Sequence, residues 1–403
     1  MLVLLCNVGS TSLKFKLYQM PREHLIMESK IERIGEQNNS LIRYSHKDKN
    51  KEYHEENRTV ANFDAGIRLF LELLLDQEIG AVATIEEIDA VGFKAPHAKQ
   101  ITGTQIVDER VLAAMEDYSV VNPLHNPPYI DAMRLFQRIL PGTPLVAVFE
   151  TAFHATFPEK AQTYGIPAQW REKYGFRRYG FHGASHGFIA SQVTEFSGRG
   201  TYRMISCHLG GSSSICAVKD GRSIDNSFGF SSQSGIDHAN RSGDLDVFIP
   251  LYLMIREGYT AEQIKDELIT NAGLKGIAGN SNDMRDILIA AGRGDDQAKL
   301  AIDVYCYEII KYIGAYYAVL GGLDYLVFTG GIGENSATIR ERICDALSHM
   351  GITLDKTRND TCISNGIQTI SRDISDVKIL VIPTNEEIGI AREAYNMIHG
   401  NDK

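Results

Sequence analysis

The sequence predicts a mixed α/β protein of two domains, and three observations carry that prediction. The chain has 403 residues, more than a single hydrophobic core ordinarily serves. Short apolar, strand-like runs are interspersed with segments of helical period. A strand, a Gly/Ser turn and a second strand near the N-terminus return about two hundred residues later. Strand-like runs fall near 2–6, 12–18, 88–92, 144–149, 203–207, 214–219, 324–329 and 378–382. Helical spacing falls near 60–76, 108–117, 128–140, 184–197, 261–270, 297–320 and 386–398. Residues 35–57 are polar and charged, and read as a surface excursion of hairpin type.

Composition bounds the function. The formal charge of −10 with 43% hydrophobic and 23% charged residues fits a soluble globular protein and argues against a general nucleic-acid surface. Six cysteines with no C-x-x-C pair suggest buried thiols in a reducing cytoplasm. The opening Met1–Leu5 run is too short for a signal peptide. The longest apolar stretch, 300–328, is broken by Asp303, Glu308, Lys311 and Asp324, so it reads as a buried helix and a strand rather than a membrane span.

The first copy of the repeat runs Cys6-Asn7-Val8-Gly9-Ser10-Thr11-Ser12-Leu13-Lys14. The second runs Cys207-His208-Leu209-Gly210-Gly211-Ser212-Ser213-Ser214. Such turns offer backbone N–H groups and hydroxyls without bulky side chains, which suits a phosphate chain. One copy is most simply a tight turn; two, in a chain with room for two domains, suggest a duplicated nucleotide clamp. A third turn, Thr329-Gly330-Gly331-Ile332-Gly333-Glu334-Asn335, lies between a strand and a helix expected from Ala337 to about Met350. It is neither a Walker A loop nor a dinucleotide fingerprint, because Gly-Lys-Ser/Thr and Gly-x-Gly-x-x-Gly are both absent.

These motifs resemble the acetate and propionate kinase family, within the actin, sugar-kinase and heat-shock-chaperone superfamily. The resemblance runs from Asn7 to the C-terminus. It takes in Asn7-x-Gly-Ser-x-Ser-x-Lys14, Pro123-Leu124-His125-Asn126-Pro127, Thr151-Ala-Phe-His154 and Arg178-Tyr-Gly-Phe181-His182-Gly-Ala-Ser-His186. It continues through His208-Leu-Gly210, Arg241-Ser-Gly-Asp244, Asp283-Met284-Arg285, Gly331-Ile-Gly-Glu-Asn335 and Pro383-Thr-Asn-Glu386-Glu387. It implies two duplicated ribonuclease-H-like domains with a nucleotide cleft between them, residues 1–150 plus 386–403 forming the first and 151–385 the second. It also implies a homodimer through the second domain, a short-chain carboxylate as substrate, ATP as co-substrate, and Mg²⁺ or Mn²⁺. No nucleic-acid or membrane partner is expected.

Residue by residue, the resemblance makes Asn7 and Glu386 the metal ligands. Glu386 reads equally as a carboxylate favoured by a helix N-terminus. His182 would hydrogen-bond the transferring phosphoryl group, although a histidine among glycines also reads as a packed turn residue. Arg241 would lie near substrate and phosphate; its plain alternative is a solvated arginine paired with Asp244 or Asp246. His125 would position substrate. Ser12, Lys14, His208, Gly210, Gly211, Ser212, Asp283, Met284, Arg285, Gly331, Ile332, Gly333 and Asn335 would contact the nucleotide.

Departures from the family pattern gather at the acyl site, expected around Lys94, Pro96, Leu124, Phe181 and Ser232. Lys94 stands where the family has an arginine, keeping the charge but losing the two-pronged grip on an oxyanion. Glu150 stands where the family has an aspartate, Pro96 where it has a valine, and Ser232 where it has a proline. Added polar groups in a pocket suggest a more polar acid, such as a short hydroxy acid. Gly211-Ser212 replaces the usual Asn-Gly, which leaves the choice of phosphoryl donor open. Two other readings stand beside the carboxylate kinase: a sugar or polyol kinase with Glu150 as base, and a non-catalytic nucleotide-binding protein.

Overall fold

In the computed structural model, which describes residues 1–9 and 11–400, the chain divides into two compact units. The first comprises Met1–Ala152, Lys173–Gly175 and Asn385–Lys403; the second comprises Phe153–Glu172 and Phe176–Thr384. The short Lys173–Gly175 segment joins the first unit, where the sequence reading put it in the second. Its anchor is a bond from the Tyr118 hydroxyl to the Tyr174 carbonyl, 3.1 Å.

The first unit holds an eight-stranded sheet built from β1 (Leu2–Val8), β2 (Ser12–Gln19), β3 (His24–Glu32), β4 (Ser40–His46), β5 (Lys51–Arg58), β6 (Ala90–Ala95), β7 (Thr104–Ile106) and β8 (Leu145–Phe149). Their order across the sheet is β5-β4-β3-β2-β1-β6-β8-β7. β1, β6 and β8 run parallel and read as nearly unbroken apolar runs, because both their faces are covered. β2 alternates: Leu13, Phe15 and Leu17 point into the core while Lys14 points out. Phe15 stacks on Phe70 of the helix Phe63–Leu74 at 3.8 Å between ring centroids. The helix Glu386–His399 packs on the other side, and Gly92 permits that approach. A Cβ there would lie 2.7 Å from Leu5 Cδ2 and 3.4 Å from Ile390 Cγ2. The charged stretch 35–57 is β4 and β5, an antiparallel pair extending the sheet.

The second unit repeats the plan with β9 (Arg203–His208), β10 (Ser214–Lys219), β11 (Arg222–Asn226), β12 (Tyr325–Thr329), β13 (Gln368–Thr369) and β14 (Lys378–Val381). Its order is β11-β10-β9-β12-β14-β13. In both sheets an antiparallel meander, of five strands in the first and three in the second, is joined through its first strand to two further parallel strands. The duplicated turn thus belongs to a duplicated sheet, of which the sequence showed only the first hairpin.

The third glycine turn differs from its expected form. Gly330–Asn335 is itself a short helical turn, and Ser336 then caps a separate helix, Ala337–Ala346. Gly330 is required: its φ is +75°, and a Cβ would stand 2.8 Å from the Leu209 carbonyl oxygen. That same carbonyl accepts the amides of Ile332 (2.8 Å) and Gly333 (3.2 Å). The second and third turns are therefore locked together through backbone.

Behind them lies Arg340, 1% exposed. It donates to the carbonyls of Gly333 (2.9 Å) and Glu334 (2.8 Å) and to both oxygens of Asn359. Replacing it leaves those buried acceptors without donors. Arg340→Met should cost about 2–4 kcal/mol in urea unfolding; a loss below about 0.5 kcal/mol, the range of an ordinary surface change, would show that the guanidinium does not hold the turn.

Candidate active site

In the first unit, the ends of β1 and β6 set the site. Cys6 is level with Phe93 in the parallel pairing, so Asn7 and Lys94 follow side by side on adjacent strands. The Lys94 Nζ stands 2.5 Å from Glu386 Oε2 and 3.1 Å from Glu150 Oε1. Burial opposes its charge, but the two carboxylates outweigh burial and hold the ammonium well above the usual lysine range. Asn7 Oδ1 accepts a bond from the Tyr129 hydroxyl, 2.9 Å. Glu386 opens its helix behind the cap Asn385, as the dipole reading allows, but its carboxylate is committed to Lys94.

His125 precedes the helix Asn126–Ile139 without capping it through its side chain. The bend there is tied down by the Asn126 amide, which donates to the carbonyls of His97 (2.9 Å) and Met115 (2.7 Å). Leu124 is half exposed and Pro96 buried. Ser12 closes the first hairpin turn, its carbonyl accepting the Gly9 amide at 2.8 Å; Ser10 lies outside the described residues.

In the second unit, His182 sits at φ +57°, a left-handed conformation at the start of the helix Gly183–Ser197. Non-glycine residues rarely adopt it. Its Nδ1 meets Ser214 Oγ at 2.9 Å, and the same hydroxyl meets His186 Nε2 at 2.8 Å. The His208 ring lies 4.2 Å from that of His182, with its Nδ1 on Ser185 Oγ at 2.8 Å. Phe181 is buried beside Phe228.

Arg241 is half-buried and, among the described residues, is not paired with an aspartate. Its guanidinium reaches Ser212 Oγ (2.5 Å) and Ser232 Oγ (3.2 Å), and burial pulls its pKa down to about 10. Asp244 instead takes the Tyr312 hydroxyl and the Gly235 amide, while Asp246 takes the Phe248 amide. Gln233, beside Ser232, spends its amide on Ser242 and the Leu268 carbonyl.

A cavity of about 590 Å³ opens on three separate segments that the sequence singled out. Gly210 and Gly211 come from the second hairpin, Asp283, Met284 and Arg285 from a helix start, and Gly331, Ile332 and Asn335 from the third turn. Asp283 caps the helix Met284–Gly292 and pairs with Arg285 at 2.5 Å; the hydrogen bonds from Arg285 pull its carboxyl down to about 2. Gly333 does not line this space. It lies beneath the turn, where a Cβ would sit 3.5 Å from the Cys207 carbonyl. His208 and Ser212 also fall outside the lining.

A sequence profile of the acetokinase family matches residues 2–392. The chain belongs to the acetokinase family. It is 43% identical over 401 residues to the acetate kinase of Carboxydothermus hydrogenoformans, with 99% of both chains covered. It is 41% identical over 402 residues to the acetate kinase of Thermotoga maritima, again covering 99% of each. Among solved structures it resembles the acetate kinase of Porphyromonas gingivalis, with a TM-score of 0.87 and 35% identity over 98% of this chain and 99% of that one. The propionate kinase of Francisella tularensis gives a TM-score of 0.88 and 33% identity over the same shares. This acetokinase is an ATP-dependent phosphotransferase whose acceptor is a carboxyl group.

Three groups at the candidate site escape sequence reasoning. Tyr129 follows the Pro127-Pro128 pair and carries no chemical signature. Ser214 looks like one more turn hydroxyl, yet it joins two histidines. Glu334 accepts the Gly330 amide (2.9 Å) and the Thr384 amide (3.1 Å) across 50 residues.

The buried histidines make stability pH-dependent. His154 bonds Ser223 Oγ and the Phe181 carbonyl, both at 2.8 Å, and burial lowers its pKa from 6.5 to about 4. His186 is lowered as well, chiefly by burial. A base whose native pKa lies below its unfolded value gains a proton on unfolding, so stability falls as pH drops from 6.5 toward 4. His154 alone accounts for about 3 kcal/mol over that window. Urea unfolding at stepped pH should show this decline, and His154→Asn should flatten it; an unchanged slope in the variant would rule His154 out as a source.

Proposed function

We propose that the protein phosphorylates a short-chain acid of acetate or propionate size, with Lys94, His182 and Arg241 handling the anionic groups. The observation that carries this reading is Arg241. A half-buried guanidinium beside two serine hydroxyls is stabilised when an anion enters. Transfer of a phosphoryl group between anions is mainly a problem of charge neutralisation and alignment. Arg241 supplies charge, and the Ser214-fixed His182 supplies a hydrogen bond in a set direction.

In the first unit, Lys94 would hold the carboxylate of the acid, with Glu150 keeping its ammonium in place and His125 and Leu124 bounding the acyl group. Asn7 and Glu386 would hold Mg²⁺. Both offer oxygen, the donor this ion prefers, and a site with few protein ligands leaves room for water and phosphate. Bound there, the ion would neutralise phosphate charge. Lys94 is then the cation that occupies Glu386 until the metal does. The nucleotide would lie in the 590 Å³ cavity against Gly210, Asp283, Arg285 and Gly331.

The polar replacements at the acyl site have partners within the protein: Ser232 on Arg241, and Gln233 on Ser242 and Leu268. This supports an unsubstituted acid over a hydroxy acid. Glu150 is engaged by the Lys94 ammonium at 3.1 Å, which weighs against its serving as the base of a sugar kinase. An ATP-dependent hydroxamate assay over short acids should favour acetate or propionate, and Arg241→Ala should lower kcat by about 10²–10⁴-fold. A preference for lactate or glycolate would move the assignment to a hydroxy acid, and hydroxyl phosphorylation without hydroxamate would overturn it. Lys94→Arg should shift acid preference if Lys94 contacts the acid.

A homodimer and a cytoplasmic setting complete the proposal. Val247, Phe248, Tyr252 and Ile255 stand 59–76% exposed along one short helical segment of the second unit, an apolar surface that a second copy would cover. All six cysteines are free. No described helix is long and apolar enough to cross a membrane. Light scattering should report a dimer, and Phe248→Asp with Ile255→Asp a monomer; a monomeric wild type refutes the interface.

A further inference from the structure

The outward face of the first sheet carries a row of basic residues, two lysines and an arginine ended by a histidine. Lys14 on β2 is level with Lys30 on β3, Lys30 with Arg43 on β4, and Arg43 with His54 on β5. At a strand spacing of about 4.8 Å, the row spans roughly 14 Å. Like charges directly opposite one another destabilise a sheet, and the next level shows the ordinary remedy. There Lys16 faces Glu28, Glu28 faces Ser45, and Ser45 faces Glu52.

Neutralisation of the cationic row is partial. Glu32 lies 2.5 Å from Lys30 and 3.9 Å from Arg43, and Glu56 lies 2.9 Å from His54. The row also borders a cavity of about 440 Å³, to which Lys14, Lys30, Arg43 and His54 all contribute. That volume admits a small ligand. Acids also line one side of the same space: Glu28, held by Lys47 (2.5 Å), Glu52, and Glu387 of the C-terminal helix, 3.8 Å from Lys16.

We propose that this row is a second anion-binding site, for a small molecule carrying two or more phosphate charges. The Arg43 fork and the two ammoniums match phosphate oxygens in both charge and spread. The level of Glu28 and Glu52 confines the anion to the cationic row. Lys14 is the one residue this site shares with the proposed nucleotide contacts; Lys30, Arg43 and His54 belong to neither the acyl nor the nucleotide site. An anion here neutralises the row and stabilises the native sheet.

The test uses pyrophosphate as probe on the full chain, with calorimetry and thermal melting in the presence of saturating ADP. Wild type should bind it and melt higher. Lys30→Ala with Arg43→Ala should weaken binding at least tenfold and abolish the melting shift. That double variant should hold or raise the melting temperature without anion, since like charges have been removed, and keep kcat and both KM values. Lys30→Arg should retain binding, separating loss of charge from loss of fold. Equal affinity in wild type and double variant would overturn the proposal, as would full competition by ATP. Loss of pyrophosphate binding in the double variant with no acyl phosphate formed by wild type would refute the kinase assignment and leave this site standing.

Discussion

The constraint on which the rest of the molecule depends is the parallel pairing of a hairpin's first strand with the strand that follows it in the sheet. β1 pairs with β6, and β9 with β12. Parallel neighbours end at the same edge, so a hairpin turn and the end of the next strand are delivered to one place. In the first unit this sets Asn7 beside Lys94. In the second it sets Leu209 against Gly330, where the fit is close enough that a single Cβ would break it. Polar chemistry is thereby concentrated at strand ends, while the strands beneath are apolar and rigid.

Each unit uses that edge for a different electrostatic purpose. Lys94 is a cation held between two carboxylates, Glu150 and Glu386, so its position is specified and its charge locally matched. Among the described residues, Arg241 is a cation held by two serine hydroxyls and no carboxylate, so its position is specified and its charge is not matched there. Positioning without neutralisation favours an incoming anion at Arg241, because no carboxylate partner there competes with a ligand. The serines at 212 and 232 provide it, orienting the guanidinium while adding no counter-charge.

Much of the architecture was legible because it rests on period and repetition. The apolar runs of β1, β9, β12 and β14 are short and bounded by turn residues, and the long helix Asp296–Leu320 carries a helical period. Of the strands not picked out, β7, β11 and β13 are short and lie at sheet edges, where partners rather than propensity create them, while the nine-residue β3 is an interior strand whose charged residues conceal an apolar run. At the site, glycines and motif histidines announced themselves, but what holds them did not. Arg340 is a charge on a helix in sequence and a four-bond anchor in space. Gly333 reads as a ligand contact yet serves backbone packing. Distance along the chain conceals such roles, as it does for Glu334 and Thr384.

The departures at 94 and 150 resolve into one change rather than two. A lysine in place of an arginine shortens the cation's reach and removes the planar fork. A glutamate in place of an aspartate lengthens the opposing carboxylate by a methylene. The two carboxylates close on a single nitrogen, Glu150 at 3.1 Å and Glu386 at 2.5 Å. A guanidinium would spread its contacts over several donors; a lone ammonium needs its partners to converge, and the longer side chain at 150 lets one of them do so. Such a pair would preserve charge at the proposed acyl site while making its geometry radial instead of planar. A substrate carboxylate would then meet a point charge, and its orientation would have to come from the walls around it, Leu124 and His125 included.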